Sequence, residues 1–194
     1  MKVLKIKNRY YESKQDNSLE LFDSGVGSVI LSTLVIVLIS GLIMSEKIIA
    51  STEAEGASMQ PTFDTKVQLY YNQSDIAIDN LTYNDIISFE TKTFGTYIKR
   101  IIGLPGDTVE IIDRKLYING EFVQEDFIIP DDSQATLRKE LGEDEYYVMG
   151  DNRANSTDSR HVLIGAIKKS DINGRVIGGK SRVSDETYNF LRIY

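Results

Sequence analysis

At 194 residues, with 41% hydrophobic and 26% charged side chains, the chain is long enough for one sizeable core and a small appendage, and too short for two large domains. A formal net charge of -7 offers no basic surplus for neutralising phosphates, so nucleic acid is not an expected partner. Cysteine is absent, which excludes disulfides, thiolate metal sites and cysteine nucleophiles, and the single histidine, His161, excludes a multi-histidine metal centre; neither metal nor cofactor is expected.

In chain order, residues 1–24 read as a polar tail. Residues 25–44 are uninterrupted by charge, flanked by Asp23 on one side and Glu46 and Lys47 on the other. As a helix they would span about 30 Å, the hydrocarbon thickness of a bilayer. A cleaved export signal has an apolar run of only about 7–15 residues ending at small side chains, and Ile48 spoils the nearest such site. The run is therefore read as a transmembrane helix. Lys2, Lys5, Lys7, Arg9 and Lys14 precede it, whereas residues 45–65 carry only Lys47, which places the N-terminus in the cytoplasm and residues 45–194 outside a single-pass cell-membrane anchor. The lipid bilayer is thus one expected partner.

The external part is mainly β. Short β-branched and aromatic runs predict strands over 67–71, 85–89, 97–102, 108–112, 116–118, 121–123, 146–149 and 172–177. Asn119-Gly120 is a two-residue hairpin signal, since both turn positions favour positive φ. Leu104-Pro105-Gly106-Asp107 marks a second turn. Residues 125–145 are acidic and lack periodicity, which predicts a surface excursion. Residues 185–194 are expected to form a short terminal helix. No coiled-coil seam or self-complementary patch indicates an oligomeric state.

Three segments carry candidate chemistry. The first, Gly56-Ala57-Ser58-Met59-Gln60-Pro61-Thr62, is in isolation an ordinary turn whose serine bonds nearby backbone. In the second, strand alternation places Tyr97, Lys99 and Ile101 on one face and Thr96, Ile98, Arg100 and Ile102 on the other. With apolar residues on both faces, at least one cation is expected to be partly desolvated; the bland reading is a solvated edge-strand lysine. The third, Gly150-Asp151-Asn152-Arg153-Ala154-Asn155-Ser156-Thr157-Asp158-Ser159-Arg160, is a polar loop held by aspartate–arginine pairs, dense enough in small polar groups to organise a catalytic site.

Together, Ser-Met-x-Pro-Thr, the lysine–arginine strand running into Gly-Leu-Pro-Gly-Asp, and Gly-Asp-Asn-Arg-x-x-Ser-x-Asp-Ser-Arg resemble the type I signal peptidases, particularly the single-span Gram-positive form. Asn84-Asp85-Ile86-Ile87-Ser88-Phe89 is similar to an intermediate strand of that family, which usually has glycine before the aspartate. The resemblance implies an antiparallel β domain of the signal-peptidase and LexA-like kind, and a serine endopeptidase that removes N-terminal signal peptides from preproteins at small-x-small sites. It implies Ser58 as nucleophile, Lys99 as general base, and Ser156 orienting the lysine amine. Arg100 with Asp151 and Asp158 with Arg160 would be structural ion pairs. The Ser58 backbone N–H would help form the oxyanion hole; some members add a hydroxyl where this chain has Gly56. Met59, Ile101 and Tyr97 are expected to line Lys99, and substrate is expected against Ala57, Met59, Gln60, Pro61, Ile86 and Ser88. His161, adjoining the last motif, has no family role and reads as a surface residue. Two rivals are a cytosolic self-cleaving repressor, which the apolar run opposes, and a membrane-anchored accessory scaffold for surface-fibre assembly with little or no proteolysis.

Overall fold

The computed structural model describes residues 25–91, 93, 95–130 and 136–190, with side chains in the first helix as far as residue 41. The polar tail and the final residues 191–194 lie outside the described residues. The chain divides into two compact units, residues 1–46 and 47–194.

Helix α1, Gly25–Ile48, occupies the place of the expected span. Its branched apolar side chains from Val26 to Ile39 are exposed. Its hydroxyls turn back on the helix: Ser28 donates to the Gly25 carbonyl, Ser32 to Val29 and Ser40 to Val37, each at 2.9 Å. Among the described residues no helix is long and apolar enough to cross a membrane, the described side chains of α1 stopping at residue 41.

The second unit is mainly antiparallel β. Its strands are β1 (Ile49–Glu55), β2 (Lys66–Asn72), β3 (Ile86–Thr91), β4 (Gly95–Gly103), β5 (Thr108–Ile112), β6 (Lys115–Ile118), β7 (Glu121–Val123), β8 (Leu137–Glu140), β9 (Glu145–Met149), β10 (Ile167–Lys168), β11 (Ile172–Ser181) and β12 (Thr187–Asn189), with a short helix α2 at Asp75–Asp79. The larger sheet runs β1-β2-β11-β3-β4-β9-β10 with β12 added on β11, and the smaller runs β7-β6-β5-β8. Alternation sorts the larger sheet into two faces. Ile87, Phe89 and Ile101 join Leu81, Tyr146, Val148, Ile167 and Ile172 in one core, whereas Ile86 and Ile98 join Met59, Phe63, Val67, Leu69 and Val176 in another. A third core, around Val109, Ile111, Leu116 and Tyr147, fills the smaller sheet.

The hairpin signal at Asn119-Gly120 corresponds to the β6–β7 turn, with φ of 53° and 82° at its two central residues. Two expectations change, and some elements were not foreseen. Residues 137–140, within the predicted surface excursion, form β8 on β5; Arg138 pairs with Glu110 at 2.7 Å, so cross-strand charge replaces an apolar signature. The predicted terminal helix is instead β12, whose backbone is satisfied by β11. β1 and α2 went unforeseen. Polar Ser51, Glu53 and Glu55 on β1 obscured a strand whose ladder to β2 is complete from Ile49↔Asn72 to Glu55↔Lys66.

Candidate active site

Two strand edges border the candidate site. Among the described residues β1 pairs only with β2, and β9 joins β4 only from Arg100 onward, so residues 95–99 have β3 on one side and no described strand on the other. Between these edges lies a groove of about 420 Å³, lined by residues 52–59, Phe63, residues 96–99, Asn155 and Thr157.

Ser58 stands in the turn after β1. Gly56 N–H donates to the Thr65 carbonyl at 2.8 Å, and Gln60 N–H to Ala57 at 3.2 Å, closing the turn. The Ser58 carbonyl accepts from Asn152 N–H at 3.0 Å, joining this turn to the loop after β9. Close approach makes glycine necessary at 150: a Cβ there would lie 2.5 Å from the Ser58 carbonyl oxygen and 2.2 Å from Ser156 Oγ.

Lys99, 2% exposed, donates from Nζ to Ser58 Oγ at 2.8 Å and to the Ile98 carbonyl at 2.9 Å. The amine lies 5.1 Å from the Tyr97 ring centroid. Burial pushes the Lys99 pKa down to about 8; the Asp158 and Asp151 carboxylates oppose that shift and Arg160 adds to it. A serine hydroxyl and an amine whose pKa burial has lowered, in hydrogen-bond contact, can act together as nucleophile and base.

The surrounding charges form two closed networks. Arg100 grips Asp151 in a bidentate pair, Nε to Oδ1 at 2.8 Å and Nη2 to Oδ2 at 2.6 Å, and donates from Nη1 to the Asn84 carbonyl at 3.0 Å. Thr62 completes this network, donating to Asp151 Oδ2 and accepting from Arg100 Nη2. Asp158 accepts from Arg160 Nε at 2.8 Å and Nη2 at 2.9 Å, and from Gly150 N–H at 2.9 Å. Burial alone would raise the Asp158 pKa, but the bonds and charge of Arg160, with Gly150 and Ser156, hold it below the ordinary aspartate value.

Several expected neighbours are placed differently. The Ser156 hydroxyl donates to Asp158 Oδ2 at 2.7 Å, and the Lys99 bonds are those to Ser58 and Ile98, because a buried carboxylate two residues away is the stronger acceptor. Of the expected substrate-contact residues, Ala57 and Met59 line the groove; Gln60, Pro61, Ile86 and Ser88 do not. Ile86 is buried in the core with Met59, Phe63 and Val67, and Ser88 is buried with its hydroxyl accepting from Asn173 Nδ2 at 3.4 Å. Tyr97 and Met59 line the groove beside Lys99, whereas Ile101 packs into the core with Ile87 and Phe89. His161 is exposed, its Nδ1 accepting from Leu163 N–H at 3.3 Å. Sequence reasoning missed Thr52–Glu55 as a wall, because β1 itself was missed. It also gave no role to Thr62, although that residue closes the first motif.

The sequence matches the family model for signal peptidase, peptidase S26, over residues 27–178. Signal peptidase I P of Bacillus subtilis subsp. natto is 38% identical over 152 residues, which cover 73% of this chain and 81% of the relative. Signal peptidase I S of Bacillus subtilis (strain 168) is 36% identical over 152 residues, 73% of this chain and 82% of the relative. A crystal structure of a signal peptidase I from Enterococcus faecalis V583 is 32% identical, covering 50% of this chain and 96% of its own, with a TM-score of 0.43. With a match of this extent and relatives of this identity, the chain belongs to the signal peptidase, peptidase S26, family and is a serine endopeptidase.

Proposed function

We propose that this chain removes signal peptides from exported preproteins, with Ser58 as nucleophile and Lys99 as general base, and that α1 anchors it in a membrane. The observation that carries this reading is the 2.8 Å contact between the Ser58 hydroxyl and an amine that is only 2% exposed. A lysine with pKa near 10.5 is neutral in about one copy in a thousand at pH 7.4; at about 8 the neutral share rises to about one in five. Burial therefore supplies a base without a histidine.

In the first step neutral Lys99 takes the Ser58 proton as Oγ bonds to the scissile carbonyl carbon. The carbonyl electron pair moves onto oxygen, and the Ser58 N–H donates to that oxyanion. As the C–N bond breaks, the Lys99 ammonium returns its proton to the departing amine, leaving an acyl ester on Ser58. Water then loses a proton to Lys99 and attacks the ester; Ser58 Oγ leaves with that proton, and the signal peptide is released as a carboxylic acid that gives its proton to solvent. Arg100 with Asp151 and Arg160 with Asp158 hold the elements that carry Ser58 and Lys99. Ser156 reaches the lysine indirectly, through the Asp158 charge.

The groove between β1 and the free edge of β4 suits an extended peptide that adds itself as a strand. Ala57, Met59 and Phe63 on its wall favour small apolar side chains before the cut. Membrane attachment rests on the apolar run over 25–44 and on the exposed apolar side chains and self-satisfied hydroxyls of α1. The lysine and arginine imbalance puts the N-terminus in the cytoplasm and residues 45–194 outside. The family match and relatives give no support to the accessory-scaffold alternative. The test is incubation of the full chain, in detergent micelles, with a preprotein beside the Ser58→Ala variant. Cleavage should fall by at least about four orders of magnitude. Equal cleavage by both would end the proposal.

A further inference from the structure

The nucleophile turn is braced from behind by the end of the chain. Phe63 lines the groove beside Ser58 and Met59 and is only 4% exposed. Its far side is closed by two rings of the C-terminal segment, Tyr188 at 6.0 Å and Phe190 at 6.3 Å between centroids. These two rings stack on each other, 6.4 Å apart with their planes within 5°. Both also pack against the core that contains Met59, next to Ser58, and Ile98, next to Lys99.

Polar contacts secure the same segment. Asp64, following Phe63, donates its N–H to the Tyr188 hydroxyl at 3.3 Å, and its Oδ2 accepts from the Ser181 and Ser184 hydroxyls at 2.5 Å each. The Ser181 N–H donates to the Glu186 carbonyl at 2.8 Å, closing the β11–β12 hairpin, and the Phe190 N–H donates to the Ile177 carbonyl at 3.0 Å. Gly178 makes the approach possible, since a Cβ there would lie 2.8 Å from the Tyr188 carbonyl oxygen. All of β12 lies beyond the family-matched residues, 27–178.

We propose that β12 and Phe190 form a strap that fixes the Phe63 wall of the groove, making Tyr188 and Phe190 positioning residues for selecting small side chains before the cut. This rests on the signal-peptide reading above. Neither residue lines the groove; they act by denying Phe63 space to retreat. A well-packed core yields little to an added methyl group, whereas an unsupported wall does. Removing the strap rings should relax size discrimination rather than merely slow the chemistry.

The experiment uses the full chain in detergent and two preproteins that differ only in alanine or valine at the residue before the scissile bond. In Tyr188→Ala/Phe190→Ala, the alanine-to-valine ratio of kcat/KM should fall about tenfold, while Tyr188→Phe, which keeps the ring, should hold the parental ratio. A fall of less than about threefold in a variant with the parental circular dichroism spectrum overturns the strap, even if both substrates are cleaved more slowly. If the double variant does not fold, Phe190→Ala alone, which removes one supporting ring and leaves Tyr188 in place, is judged by the same threshold. Failure of the parental chain to cleave either preprotein overturns the signal-peptide reading and the strap with it. Parental cleavage with an unmoved ratio overturns the strap alone.

Discussion

Replacing Lys99 by methionine separates what the amine does for catalysis from what it does to stability. Methionine keeps an unbranched stem of similar length and removes the charge. The folded-state pKa is about 8 against an ordinary 10.5, a gap of about 2.5 units or about 3 kcal/mol. Because the folded pKa is lowered, the unfolded chain binds the proton more tightly. The resulting cost to folding is fully present below pH 8, shrinks between pH 8 and 10.5, and is absent above. Against this, methionine leaves the Ile98 carbonyl without its lysine donor, at about 1 kcal/mol. Lys99→Met is therefore expected to be more stable than the parent by about 2 kcal/mol at pH 7, less stable by about 1 kcal/mol above pH 10.5, and inactive at both. Since the chain has no tryptophan, urea unfolding in detergent is best followed by far-ultraviolet circular dichroism. A variant less stable than the parent at pH 7, by a margin that does not change with pH, would refute the claim that burial lowers the pKa of this amine.

The acid limb of kcat/KM should rise with pH through about 8, as Lys99 loses its proton. In Asp158→Asn a carboxylate that raises the lysine pKa is lost while the nearby Arg160 charge, which lowers it, remains, so the midpoint of that limb should move to lower pH, measured with one preprotein across the range. Gly150→Ala would drive a methyl group into the Ser58 carbonyl and Ser156. A roughly 100-fold loss of kcat/KM is expected, since small displacements of reacting groups cost about that much. His161→Ala should leave both the rate and the pH profile within about twofold of the parent, because that ring is exposed and its Nδ1 accepts from Leu163 N–H within its own turn.

How far the sequence reached differs from element to element. β5 and β7 were legible to the residue, because alternating apolar runs stop at turn residues whose φ only a few side chains accept. β1, β8 and β12 were not, because their own side chains are largely polar, and β8 in addition pairs with β5 rather than with a strand adjacent in sequence. Ser58 and Lys99 stood out through motif resemblance, but nothing local reveals that residues 41 positions apart meet at 2.8 Å.

The sequence by itself determined the apolar run before the β domain, the exclusion of thiol chemistry and of a multi-histidine metal centre, and the order of three motifs. Those follow from residue types and spacing, which fix local φ preferences and the periodicity of burial. Only the tertiary structure decided that Ser156 bonds Asp158, that Ile86 and Ser88 are buried away from the groove, and that β12 packs its Tyr188 ring on Phe63. Such contacts depend on which strands become neighbours and on how far burial desolvates each charge, and these are properties of the assembled sheet.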